Sequence, residues 1–333
     1  MKLNTDTLRA LLKRGEAFAE TRRGQRILRS LRYGFLAGVI GWLAYQLMGI
    51  GWREVLTSLP QTPWFYLLYL VIYFQLPLIE ALIYRGIWAT PWQRLFPVLV
   101  RKRVLNMDVL NYSGEVYLFL QAQALSPRPK RFLLGSLKDN AIASGVASVL
   151  SMLLMAGGFL LAGQLDLQAL VGENNLLYIG VAVVVFAIGA ALAVRFRNTV
   201  FTLPVPAVAG VFGAHLFRFG LVFVLQVAQW AVVIPEAPLQ VWATMLVIVA
   251  FTNRLPLIPA KDLAAAAAIL EVSGVYDAYL PAIAGMLLVR IVLDKSMNLF
   301  LFTVTSRLMP PDPGPEAAPT AAPAAVQRPE RAS

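Results

Sequence analysis

Ionisable side chains inside long apolar runs are where this sequence could do chemistry. Each costs roughly 2.5–3.5 kcal/mol at the centre of a membrane helix and so needs a partner or a wet cavity. Glu80 stands in such a run, with Tyr73, Pro77 and Tyr84 on the same helical face. It reads either as a cavity carboxylate, able to bind a cation or a lipid amine or to carry a proton, or as an interfacial acid paired with nearby Arg85. His215, Arg218, Gln226 and Gln229 fall within about 80° of one another when helical residues advance about 100° each. In that stripe Arg218 either holds a phosphate through its planar fork of donors or joins hydrogen bonding between helices. Arg290 and Asp294 are spaced i, i+4, with Asn298 one turn further. They either neutralise each other structurally, or Arg290 engages a phosphate while Asp294 orients it. Asp108, Asn111 and Glu115 fall at i, i+3 and i+7, which puts them on one helical face. Asp262 follows Pro256, Pro259 and Lys261 and opens an alanine run.

Other chemistries drop out on composition. The 333 residues contain no cysteine and one histidine, His215. That excludes thiolate catalysis, a disulfide framework, Cys-ligated metal centres and HExxH-type sites. With no phosphate-binding loop either, no cofactor or metal is expected. The chain is 58% hydrophobic and 14% charged, with a mean hydropathy of +0.66. Soluble domains carry about 25% charged residues, so lipid must be the main solvent here.

The expected fold is therefore an all-α, polytopic membrane bundle of about seven to eight spans with one or two re-entrant or interfacial segments. Apolar length and bounding turn residues place firm spans at Tyr33 to Ile50, Trp64 to Tyr84, Ala141 to Ala162 and Leu176 to Val194. Further candidates are Val208 to Val233, Leu239 to Thr252, Leu257 to Val275 and Pro281 to Thr303. Leu105 to Ala124 is different, because bases flank it on both sides: Arg101, Lys102 and Arg103 before, Arg128, Lys130, Arg131 and Lys138 after. A full crossing would strand one cluster outside, so the segment reads as re-entrant or interfacial. Leu257 to Val275 reads as either spanning or re-entrant. A span, a polar-breached segment and a second span occur around Glu80 to Ala162 and again around Leu239 to Thr303. Such an echo is either a pointer to a transport site near the midplane or a coincidence of two polar segments.

Three parts follow: a basic cytoplasmic N-terminus over 1–32, a helical transmembrane domain over 33–307, and a disordered Pro/Ala-rich tail over 308–333. The first part carries nine Lys or Arg against three acids. It reads as an amphipathic helix on the inner leaflet or as a plain topogenic tail. The net charge of +11 belongs beside anionic lipid, not nucleic acid. Membrane lipids are thus the expected partners, in a bacterial-type inner membrane with the N-terminus cytoplasmic.

The order of spans, the segment Asn111-Tyr112-Ser113-Gly114-Glu115, the Leu255 to Gly274 stretch and the Arg290-bearing last helix resemble the lysylphosphatidylglycerol synthase membrane-domain family. The resemblance covers about Leu31 to Arg307. It assigns Gly114 and Glu115 to that family's Gly-Glu motif, Pro259 and Asp262 to its Pro turn and acidic helix start, and Arg290 to its late-helix arginine. Tyr112 and Leu118 stand where flanking arginines are usual, Asp262 replaces a glutamate, and Asp139-Asn140 stands where a Glu-Arg pair is usual. The resemblance is to a divergent member without the soluble synthase domain. It implies movement of a lipid or lipid-linked molecule between leaflets, with Asp108, Asn111, Glu115, Arg218, Asp262, Arg290 and Asp294 toward the substrate. An intramembrane lipid-modifying enzyme and a non-transporting scaffold for a cytoplasmic enzyme are the alternatives.

Overall fold

The computed structural model describes residues 52–108, 113–164, 201–254, 261–273 and 278–308, with single positions at 41, 45, 48, 180, 184, 189, 195 and 200. The expected spans at Tyr33 to Ile50 and Leu176 to Val194 lie outside these residues. So do the tail beyond 308 and most of the basic N-terminal part. Among the described residues every regular element is helical: α1 (Trp52–Thr57), α2 (Pro63–Trp88), α3 (Trp92–Asp108), α4 (Ser113–Leu125), α5 (Lys130–Leu161), α6 (Val205–Ala231), α7 (Leu239–Thr252), α8 (Lys261–Ser273) and α9 (Leu280–Leu308).

Helices α2, α5 and α6 are long and apolar enough to cross a bilayer, and mark the chain by length and composition as an integral membrane protein. Their faces are inverted relative to a soluble bundle. On α2 the side chains of Leu67, Leu70, Val71, Leu78 and Leu82 are exposed, whereas Tyr73, Gln75, Glu80 and Tyr84 are buried. On α5 Leu134 and Leu154 face outward while Ser136, Asp139, Asn140, Ser148 and Ser151 face inward. Lipid takes the apolar stripe, and polar groups must satisfy one another inside.

The helices α3 and α4 fold back on each other as a hairpin. At its base Thr90 donates to the Leu125 carbonyl and Ser126 to the Trp88 carbonyl (3.1 Å). Near its tip Gly114 N donates to Asn106 Oδ1 (2.7 Å). The expected re-entrant element at Leu105 to Ala124 is thus the second limb and tip of a longer device that starts at Trp92. The basic character of α3, from Arg94 to Arg103, hid that first limb. One expectation is overturned: α3 closes at Asp108 and α4 opens at Ser113, so Asp108 and Glu115 belong to different helices and share no helical face. Asn111 lies outside the described residues.

The pair α7 and α8 makes a second hairpin. Tyr279, just after α8, reaches the Glu236 carbonyl before α7, and Lys261 at the other end reaches the Asn253 carbonyl (3.1 Å). These helices have 14 and 13 residues, about 20 Å each, too short for a hydrocarbon core of roughly 30 Å. The expected span at Leu239 to Thr252 is therefore corrected to one limb of a hairpin. Lys261–Ser273, within the expected Leu257 to Val275, supplies the other.

The chain thus repeats long helix, hairpin, long helix: α2, α3–α4, α5, then α6, α7–α8, α9. The repeats are inverted. Helix α6 runs antiparallel to α2, with Gln229 beside Phe65 and Val211 beside Ile83. Helix α9 runs parallel to α2, with Tyr69 against Asp294 and Tyr73 against Asn298. The first hairpin has its base at the Trp88 end of α2 and the second at the opposite end, so they enter the bundle from opposite faces. The sequence echo begins at Glu80 and Leu239, but the structural repeats begin at Pro63 and Val205.

Candidate functional site

Two buried polar clusters occupy the interior. The first joins five helices. Lys102 Nζ on α3 lies 2.6 Å from Glu80 Oε1 on α2 and 3.4 Å from Glu115 Oε1 on α4. Asn106 Nδ2 also donates to Glu115 Oε1 (3.2 Å), and Asn140 Nδ2 on α5 to Glu80 Oε1 (3.5 Å). His215 Nε2 on α6 contacts Asn140 Oδ1 (3.0 Å), and Arg218 Nε donates to His215 Nδ1 (3.3 Å). One ammonium therefore bridges two carboxylates and ties the hairpin to the bundle. Glu80 does not pair with Arg85, which is exposed. Its partner comes from 22 residues away, across the turn between α2 and α3.

The second cluster lies toward the Phe65 end of α2. Arg290 Nε on α9 meets Asp294 Oδ2 (3.3 Å), while its Nη1 donates to Gln226 Oε1 (2.8 Å) and Gln229 Oε1 (3.1 Å). Gln226 donates to Gln229 (2.9 Å), and Gln229 to the Phe65 carbonyl (3.0 Å). Tyr69 donates to Asp294 Oδ1 (3.0 Å). A cavity of about 60 Å³ opens beside it, lined by Gln226, Gln229, Asn253, Asp262 and Arg290 among apolar side chains. That is room for a few waters.

The sequence stripe on α6 is buried as a unit but splits in use: His215 and Arg218 belong to the first cluster, Gln226 and Gln229 to the second. Glu80 and Glu115 come together through Lys102, and Arg290 and Asp262 line the cavity, with Asp294 paired to Arg290. Sequence reasoning missed Lys102 and Asn106, and met Asn140 only through the resemblance. Lys102 was counted among flanking bases, and only the fold carries it next to Glu80. Asp139, which stands with Asn140 where the resembled family usually has a Glu-Arg pair, is an anchor. Its Oδ2 accepts from the backbone N–H groups of Thr202 and Leu203, both at 2.7 Å, and so fixes the start of α6. Asp139→Ala leaves the buried Leu203 N–H without that acceptor and is expected to cost about 1–3 kcal/mol, read by SDS-induced unfolding. A loss below that range would show that water replaces the carboxylate.

Compared with family models, with curated proteins and with solved structures, the chain matches none.

Proposed function

We propose that the protein moves a lipid or lipid-linked molecule between leaflets, as a divergent relative of the lysylphosphatidylglycerol synthase membrane domains, in a bacterial-type inner membrane with its basic N-terminus cytoplasmic. One observation carries the reading: two hairpins enter from opposite faces and end beside buried polar clusters at mid-bundle. Inverted repeats with interrupted segments at the midplane are the architecture in which a site can open alternately to either side. Polar side chains there substitute for water around a head group while the acyl tails stay in lipid, which lowers the cost of carrying charge across hydrocarbon. With both hairpins set aside, the expected spans are six: α2, α5, α6, α9 and the two segments Tyr33 to Ile50 and Leu176 to Val194, one or two fewer than the sequence suggested. With no nucleotide loop in the sequence, movement is downhill or ion-coupled, with Glu80, Glu115 and Asp262 as the available proton carriers.

The test is liposome reconstitution with fluorescent phospholipids, scoring how fast outer-leaflet dye escapes a membrane-impermeant quencher. Wild type is expected to exceed empty liposomes, and Glu115→Gln and Arg290→Gln to lower the rate by at least about tenfold, the effect of some 1.4 kcal/mol on a barrier. Exchange equal to that of empty liposomes, across several head groups and both orientations, overturns the proposal. A change in lipid mass points to an enzyme instead.

A further inference from the structure

A counter-charge is missing at the centre of the bundle. Among the described residues the ion pairs are Lys102 with Glu80 and Glu115, Lys138 with Asp139, and Arg290 with Asp294. None of them includes Arg103, Arg218 or Arg254. These three arginines come from different elements, and Arg218 feels the charge of both others. Arg103 lies near the tip of the first hairpin, Arg254 follows α7 at the tip of the second, and Arg218 is midway along α6, between the repeats' hairpins.

Each is positioned by neutral groups. The Arg218 Cζ lies 3.8 Å from the Phe219 ring centroid, and Arg254 Cζ lies 5.6 Å from the same ring. Arg103 Cζ sits 4.4 Å over Tyr73, whose hydroxyl is held by Asn298. Arg254 also donates to the carbonyls of Ser148 (2.8 Å) and Ala250 (3.3 Å). The Nε atoms of Arg103 and Arg254 are buried with no hydrogen-bond partner among the described residues. Arg218 is 6% exposed, repelled by both Arg103 and Arg254, and attracted by Glu80, which Lys102 already occupies. Asp262 feels Arg103 but forms no ion pair with any of the three. Stacking on a ring face orients a guanidinium and leaves its donor edge free.

A buried arginine flanked by two half-buried ones is costly unless an anion completes the site. Guanidinium forks match the oxygens of a phosphate and bind it through paired, charge-assisted hydrogen bonds. We propose that Arg103, Arg218 and Arg254 form a binding site for a phosphate oxyanion, mono- or diester, held between the two hairpin tips at the middle of the membrane. The site deepens the translocation reading, on which it rests for the source of the anion. It involves two arginines that the sequence did not single out.

The experiment uses the full chain purified in a phosphate-free maltoside detergent. Isothermal titration is run with inorganic phosphate, with dioctanoyl phosphatidylglycerol and with dioctanoylglycerol, which lacks the phosphate. At least one phosphate probe is expected to bind and dioctanoylglycerol not to bind. Inorganic phosphate alone identifies a free-anion site, and the phospholipid alone identifies a head-group site. Arg103→Gln, Arg218→Gln and Arg254→Gln are each expected to weaken binding by about tenfold or more, the loss of one hydrogen bond to a charged group. Arg128→Gln, whose side chain stacks on Phe132 near the start of α5, is the control. Without phosphate the three glutamine variants are expected to melt no lower than wild type, since each relieves repulsion. That separates a lost site from a lost fold. Absence of binding by both phosphate probes, or equal binding in all three glutamine variants, overturns the site. Binding that persists when leaflet exchange fails keeps the site and sinks translocation; exchange without binding does the reverse.

Discussion

Lys102→Met is expected to destabilise the purified protein by roughly 3–5 kcal/mol in SDS-induced unfolding, the range for removing one member of a buried ion pair. The lysine and Glu80 are about equally inaccessible, at 7% and 6% side-chain exposure, so neither charge has water to fall back on. Without Lys102, Glu80 keeps only the Asn140 amide at 3.5 Å among the contacts described above, and Glu115 keeps Asn106. The double variant Lys102→Met/Glu80→Leu is expected to recover most of the loss, because two apolar side chains then replace two buried ions. A cycle of this kind measures the coupling directly. A single-variant loss within about 0.5 kcal/mol of zero, as for an exposed pair, would show that the hairpin does not dock on α2 in the folded protein.

Gly114→Ala is the second large effect, expected to cost about 3 kcal/mol or more, at the upper end of overpacking penalties. A Cβ at this position would overlap the Lys102 carbonyl oxygen and lie 2.7 Å from Asn106 Oδ1. The obstruction is backbone, so it cannot be relieved by a rotamer change; α3 and α4 would have to separate. That would also break the Gly114 N to Asn106 hydrogen bond and move Glu115 away from Lys102. Gly86→Ala on α2 is the comparison, because nothing lies within 4 Å of its added methyl, and its effect is expected to stay within about 1 kcal/mol. If both substitutions cost the same, the close approach of the hairpin limbs is not what Gly114 provides. The glycine of the Gly-Glu pair thus has a packing reason that holds independently of any family resemblance.

What could be read from the sequence was whatever depends on local composition. Apolar length marked α2, α5, α6 and α9 to within a turn or so at most ends, because a bilayer sets one length scale for any span. α5 is the exception: it begins at Lys130, eleven residues before the apolar run, since a helix can continue beyond the hydrocarbon. The polar residues within the apolar runs were equally visible, and Glu80, Arg218 and Asp294 are buried as their cost required. Flanking bases on both sides of Leu105 to Ala124 set this segment apart from a simple span, but the hairpin that contains it starts earlier, at Trp92.

Which polar group meets which was decided only in three dimensions. Glu80 had Arg85 five residues away and took Lys102, because a hairpin turned α3 back along α2 and α2's own rotation sent Arg85 outward. The α6 stripe reads as one surface and serves two clusters, because at 1.5 Å per residue it runs about 20 Å from His215 beside Asn140 to Gln229 beside Phe65. The inversion of the repeats leaves no trace in hydropathy, since a helix has the same apolar profile in either direction. Composition and periodicity are properties of a segment and determine which residues must be inside. Partnership is a property of crossing helices, and it follows from the hairpins that bring Lys102 to Glu80 and Arg254 to the Ser148 carbonyl.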